Sequence, residues 1–290
     1  MAELGAILTA MVTPFDAEGA VDHAGAAQLA SHLVAHGSEG LVIAGSTGES
    51  ATLSDQEQLD LIATVVHELA GGPASVVAGT GSNDTRHACE LTARAVELGV
   101  DAVLSVCPYY NKPNRRGLLR HFTEVARAAA GVPVLVYNIP SRTVIDMPND
   151  LLAELGQVEG IEGVKQANPD NVALIDGLDV YSGNDDLLCE VLEIGGAGGI
   201  CVASHLVGES MARMVAEPLK RQAIDAELHP LYDALAVTTN PIPLKAALAM
   251  VGLPAGGLRL PLVEADDAER EVVRAALDAL GLLAGAPVHR

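Results

Sequence analysis

Residues 75–106 read SVVAGTGSNDTRHACELTARAVELGVDAVLSV, and the layout of this stretch decides the fold. The apolar runs at 75–79 and 102–106 are short and Val-rich, as expected of strands buried on both faces. Between them, residues 84–98 carry apolar side chains at helical spacing, and Asp84 is placed to cap the helix start. Strand, helix and strand in this order join two parallel neighbours in a sheet.

The same pattern recurs on either side. Strands are expected at 6–12, 39–44, 75–79, 102–106, 133–138, 161–166, 179–182 and 198–203. Amphipathic helices are expected near 22–36, 54–70, 84–98, 116–130, 149–156, 168–176 and 185–194. Ser54, with Glu57 three residues later, is a capping box. Strands alternating with helices predict an α/β protein with a parallel sheet. Eight strands are what closes a (β/α)8 TIM barrel, and about 200 residues is a normal size for one. The competing doubly wound sheet is weakened because no GxGxxG or P-loop glycine pattern follows the first strand. Beyond 203 only helices are expected, at 204–216, 220–237, 243–251 and 265–284, with no linker or low-complexity segment. The expected architecture is a barrel core over 1–203 carrying a C-terminal helical layer over 204–290.

Hydrophobic residues make up 49% of the 290-residue chain and charged ones 19%, enough apolar surface for a large core. No run is long enough to span a bilayer. The apolar start GAILTAMVTP follows Glu3 without a positive flank, so it reads as a first strand and not a signal peptide. The formal charge is -21, from 17 basic against 38 acidic residues, which disfavours nucleic acid and anionic membranes as partners. The scattered Cys89, Cys107, Cys189 and Cys201 form no CxxC. A disulfide framework or metal cage is not expected, and a cytoplasmic setting is.

In a barrel of this kind the active site forms at the C-terminal ends of the strands. The segments there are AGSTGES with Ser46, Thr47 and Glu49; CPYYNKP with Tyr109 and Tyr110; VLVYNIPSRT with Tyr137 and Arg142; IEGVKQ with Lys165; YSGND; and GICVASH. Of the four lysines, Lys112 lies in a Pro-bounded loop, and Lys220 and Lys245 fall on helices of the tail. Only Lys165 ends a strand. By the two-residue period it shares a face with Ile161 and Gly163, as Tyr137 does with Leu135. An amine in a partly apolar cleft has a lowered pKa and can attack a ketone to form a Schiff base. A solvated lysine at a strand end is the alternative, and position alone leaves both open. Tyr109, Tyr110 and Tyr137, in a chain with only five tyrosines, also sit at these strand ends, where a phenol beside an amine can relay protons. Arg142 suits a carboxylate or a surface ion pair. The glycines at 195–199 read as a tight turn, and His205 and His229 receive no role.

Taken together, GSTGES, PYYNKP, YNIPSRT, GVK, SGND and NPIPLK follow the order and approximate spacing of the dihydrodipicolinate synthase/N-acetylneuraminate lyase family, which the chain resembles over essentially its whole length. The resemblance implies that Lys165 forms a Schiff base with pyruvate, whose enamine attacks L-aspartate-4-semialdehyde, in diaminopimelate and lysine biosynthesis. It implies Tyr137 as the central acid/base, linked through Thr47 to Tyr110, which in the family enters from a neighbouring subunit of a homotetramer, a dimer of dimers. Ser46 and Thr47 would hold the pyruvate carboxylate through backbone N–H groups. Arg142 would take the carboxylate of the semialdehyde, with Gly183 and the Ile200 carbonyl lining the pocket. No metal or organic cofactor is implied.

Arg142 separates the branches, because sialic-acid lyases lack an arginine in the YxIP segment. Ser46 stands where many synthases have threonine, and Val144 where glycine is common. Lysine-inhibited bacterial members carry histidines on the helix after the hydroxyl loop, where this chain has Asp55 and Gln58, so lysine inhibition is expected to be weak or absent. The rival readings are a pyruvate-dependent aldolase for a keto-deoxy sugar acid and a silent member acting as a binding protein.

Overall fold

Eight parallel strands close on themselves in chain order, each paired to the next and β8 paired back to β1. They are β1 (Ile7–Ala10), β2 (Gly40–Ile43), β3 (Ser75–Gly79), β4 (Ala102–Val106), β5 (Val134–Asn138), β6 (Ile161–Gln166), β7 (Asp179–Ser182) and β8 (Gly198–Cys201). The computed structural model describes residues 4–283. The outermost residues of both expected regions, 1–3 and 284–290, lie outside the described residues.

The helices are α1 (His23–Ala35), α2 (Asp55–Glu68), α3 (Thr85–Glu97), α4 (Arg115–Ala128), α5 (Pro140–Thr143), α6 (Asn149–Leu155), α7 (Leu188–Glu193), α8 (Ser204–Ala216), α9 (Arg221–Leu235), α10 (Ile242–Val251) and α11 (Asp267–Ala279). The Ser54–Glu57 capping box forms at the start of α2, and the Asp84 side chain accepts from the Arg86 N–H ahead of α3. Among the described residues no helix is long and apolar enough to cross a membrane.

Alternation along the strands divides the core in two. Leu8, Val77, Leu104, Leu135 and Ile200 fill the barrel interior, while Val76, Val103, Val136 and Val164 face the surrounding helices. Gly163 belongs to the inner set, where a Cβ would lie 2.6 Å from Leu135 Cδ2.

Two expectations need correction. Helix 168–176 does not form: a single 3-10 turn at Pro169–Asn171 is followed by loop and an isolated bridge between Ile175 and Leu178. There the Asn168 side-chain Oδ1 accepts from the Asp170 N–H, and the Asn171 Nδ2 donates to Asp146, so side-chain bonds replace a helical ladder. Ile161 does not share the face of Gly163 and Lys165. Val134 pairs with Ile161 but Leu135 pairs with Gly163, so Glu162 is an extra residue whose bulge turns Ile161 toward the helices.

The expected division at 203/204 falls just ahead of α8. α8 packs on β1 and α1, as the ring helix after β8 must, so that division falls inside the eighth β/α unit. On this packing we propose that the appended layer begins after Ala216.

That layer is fastened to the barrel by charge. Lys245 on α10 meets Glu49 at 2.6 Å, with the two side chains only 3% and 1% exposed. Its Nζ also donates to the Gly257 carbonyl at 2.7 Å and lies 4.3 Å from the centre of the Phe15 ring. Arg259 pairs with Glu57 at 2.6 Å and donates to the carbonyls of Gly19 and Thr52. Breaking a buried pair strands one charge without water. Lys245→Ala is therefore expected to lower the unfolding free energy by about 3–5 kcal/mol in urea titration. The double variant Glu49→Gln/Lys245→Met is expected to recover most of that loss.

Candidate active site

β5 and β6 run side by side with Tyr137 opposite Lys165, so alternation delivers both side chains to the inner face at the C-terminal mouth. The Lys165 Nζ lies 4.4 Å from the centre of the Tyr137 ring. Both residues wall a cavity of about 400 Å³ together with Thr47, Arg142, Gly183 and Asp185. A smaller chamber of about 40 Å³ leads from Thr47, Tyr137 and Lys165 down to Ala10 and Leu104 on the barrel axis.

Lys165 is 5% exposed, about as buried as Lys245. Their surroundings differ in kind: Lys245 is held by a carboxylate, whereas among the described residues no carboxylate lies within 4.0 Å of Lys165 Nζ. Burial pushes the Lys165 amine down to about 8, with the Arg142 charge acting in the same direction and Asp185 opposing it. Burial drives the Tyr137 phenol the other way, up to about 12, so it stays protonated at neutral pH. A nucleophilic amine and a proton-bearing phenol thus share one wall.

The hydroxyl loop stands opposite. Ala44 and Glu49 both adopt left-handed backbone, at φ 56 and 55, and bend the chain sharply between β2 and α2. Among the described residues the N–H groups of Ser46 and Thr47 find no backbone or side-chain acceptor. Two free donors at the cavity rim suit a carboxylate. Thr47 is buried, and its Oγ1 accepts from the Asn240 Nδ2–H at 2.9 Å.

Arg142 projects from α5, a short helix that the sequence pattern did not predict. Its Nη2 donates to the Asn240 carbonyl at 3.1 Å. Val144 ends this helix in left-handed backbone at φ 66, where a β-branched residue is strained. The strain is held by the Val144 N–H donating to Pro140 and by the Thr143 hydroxyl bonded to the Ile139 and Ile145 carbonyls.

Two expected residues lie elsewhere. Ile200 is fully buried within the barrel interior and does not wall the cavity. Tyr110 is 87% exposed at φ 71 and does not line it either. Its loop is pinned outward by Asn111 donating to the Asn83 carbonyl and by Asn83 donating to the Tyr109 carbonyl.

The cavity also takes in Asp185, Asn240 and Tyr232, which the sequence reading does not single out. Asp185 is buried beside Lys165, and its Oδ1 accepts from the N–H groups of Val202 and Ala203 at 2.9 Å each. It follows directly on the SGN of the quoted SGND segment, which gave the signal. Asn240 likewise opens NPIPLK. Tyr232, whose buried hydroxyl has no partner among the described residues, lies on a tail helix with no local cue.

Beside this site lies a second cavity of about 590 Å³ that shares Ser46, Ile139, Arg142 and Asn240 with it. Asp55 and Gln58 line it, and His87 Nε2 is 2.9 Å from Asp55 Oδ1.

A barrel whose mouth combines an unpaired buried amine, a protonated phenol and free backbone donors defines a class of enzymes that work on carbonyl compounds through a lysine. The chain belongs to the Dihydrodipicolinate synthetase family, which residues 3–280 match. It is 46% identical to a 4-hydroxy-tetrahydrodipicolinate synthase of Cyanothece sp., over 98% of this chain and 100% of that one. Among solved structures it resembles the Cyanidioschyzon merolae enzyme with lysine bound at a TM-score of 0.94 and 38% identity, covering 98% of this chain and 100% of that one. It also resembles the dihydrodipicolinate synthase of Acinetobacter baumannii complexed with pyruvate, at a TM-score of 0.92 and 34% identity, covering 96% and 99%.

The lowered amine sets a pH dependence. With pyruvate below saturation, the rate is expected to rise about tenfold per pH unit below 8 and level above it, as the neutral amine becomes the main form. For stability, the folded-state value lies below the ordinary 10.5, so burying the charged amine is fully unfavourable below about 8 and relieved as pH rises to 10.5. Lys165→Met is expected to exceed wild type in thermal stability at pH 7, by a margin that narrows through that window.

Proposed function

We propose that this chain catalyses the 4-hydroxy-tetrahydrodipicolinate synthase reaction, the condensation of pyruvate with L-aspartate-4-semialdehyde, as a Schiff-base-forming lyase. The observation that carries the reading is the unpaired, buried Lys165 amine in a cavity that also presents Tyr137 and Arg142. The neutral amine attacks C2 of pyruvate, and water leaves to form an iminium. Loss of a C3 proton gives the enamine, whose carbon attacks the aldehyde and leaves a hydroxyl there. The amino group of the second substrate then attacks the iminium carbon, closes the ring and releases Lys165.

Tyr137 is the acid/base of these steps, because a phenol held near 12 can give a proton to a leaving hydroxyl and take one back. The free N–H groups of Ser46 and Thr47 suit the keto-acid carboxylate, and Arg142 suits the carboxylate of the aldehyde. Gly183 keeps the wall close, since a Cβ there would lie 2.7 Å from that of Ala167.

Tyr110 joins the relay through Thr47 from a neighbouring subunit. A strained, exposed tyrosine gains little from standing in water, and a second copy gives it a partner. The proposed assembly is a homotetramer built as a dimer of dimers, working in the cytoplasm in lysine and diaminopimelate biosynthesis.

Assays with pyruvate are expected to consume L-aspartate-4-semialdehyde and to leave keto-deoxy sugar acids uncleaved. A preference for the sugar acids would overturn the assignment. Arg142→Ala is expected to raise the KM for the aldehyde by about tenfold or more, with the pyruvate KM changed far less. Because Asp55 and Gln58 occupy the helix beside the second cavity, millimolar lysine is expected to leave the rate nearly unchanged. Strong inhibition in a lysine titration would contradict this.

A further inference from the structure

We infer that Asn240, supplied by the helical layer, is a positioning residue that aims the Thr47 hydroxyl proton into the reaction cavity and steadies Arg142. This inference rests on the reaction proposed above.

Asn240 lies between α9 and α10, nearly two hundred residues from the loop it touches. Its Nδ2 donates to Thr47 Oγ1 at 2.9 Å, and its backbone carbonyl accepts from Arg142 Nη2 at 3.1 Å. It walls both cavities at the barrel mouth. A hydroxyl has one proton to donate and lone pairs to accept with. Once the Asn240 N–H occupies a lone pair, the proton of Thr47 must be donated elsewhere. Thr47 is buried, and the cavity it walls holds the Tyr137 phenol. The amide therefore makes Thr47 a donor toward the chemistry. An acceptor in the same place would draw that proton away.

Two further observations favour a working role over simple packing. The Asn240 Oδ1 is buried without a hydrogen-bond partner among the described residues, an unfavourable arrangement that a spacer would not need. The mount is also rigid. Lys245, one turn into α10, grips Glu49, while Asn240 grips Thr47. The tail thus holds the hydroxyl loop at two points only two residues apart.

The test compares Asn240→Asp, which keeps the shape and replaces the donor by an acceptor, with Asn240→Ala in the full-length protein. Steady-state kinetics are read beside borohydride trapping of pyruvate on Lys165. Both variants are expected to trap pyruvate as wild type does, with a pyruvate KM within about threefold, while kcat falls about tenfold in Asn240→Ala and further in Asn240→Asp. The ratio of Asn240→Asp to wild-type kcat is expected to climb as pH falls and the new carboxyl gains a proton to donate, which a packing role would not produce. A kcat within about threefold of wild type in Asn240→Ala overturns the inference, as does loss of trapping in proportion to kcat. If Asn240→Asp does not fold, Asn240→Ala decides alone by those criteria. If wild type itself traps no pyruvate, the proposed reaction fails and the inference with it, which separates the two failures.

Discussion

Removing an amine from water without giving it a counter-charge is the constraint on which this molecule turns. Lys165 and Lys245 are almost equally buried, yet they solve the problem in opposite ways. Lys245 keeps its charge by meeting Glu49 and the Gly257 carbonyl, and so becomes a fastener. Lys165 has only the face of Tyr137 and a cavity, so its amine is pushed toward the neutral form in which it is nucleophilic. The barrel makes this affordable, because a closed parallel sheet buries strand ends on all sides while leaving one mouth open to substrate.

The rest of the site follows from holding that amine in register. Tyr137 stands opposite Lys165 because β5 and β6 pair in parallel after the bulge at Glu162. Just behind them, Asn138 donates to Gln166 at 3.0 Å and to Asp146 at 2.8 Å, tying the two strand ends together. Asp185, held by two backbone donors, places a carboxyl deeper in the same pocket. Across the cavity, the hydroxyl loop is bent by two left-handed residues and clamped by the tail. The helical layer is therefore part of the active-site scaffold.

Much of this was legible in the chain itself. All eight strands were readable because buried parallel strands are continuous apolar runs, and the eight-fold alternation implied a barrel and hence a mouth. Lys165 and Tyr137 were readable because strand position and two-residue period are local properties. What escaped was long-range or energetic. The bulge at Glu162 depends on a partner strand, so a strict period misassigned Ile161. The segment 168–176 has enough apolar residues to suggest a helix, but the Asn168 and Asn171 side chains bond locally and to Asp146. Lys245 looked like an ordinary helical lysine because its acidic partner lies far away in sequence. Asn240 and Asp185 sat inside quoted segments, yet only the folded chain brings them to Thr47 and Lys165.

The central claim is that Lys165 is an amine kept free for covalent work. Borohydride reduction in the presence of pyruvate, followed by peptide mass analysis, tests it most directly. One stable pyruvate-derived adduct per chain is expected, on the peptide containing Lys165, and none on Lys245 despite its similar burial. No adduct, or an adduct carried by another lysine, would contradict it.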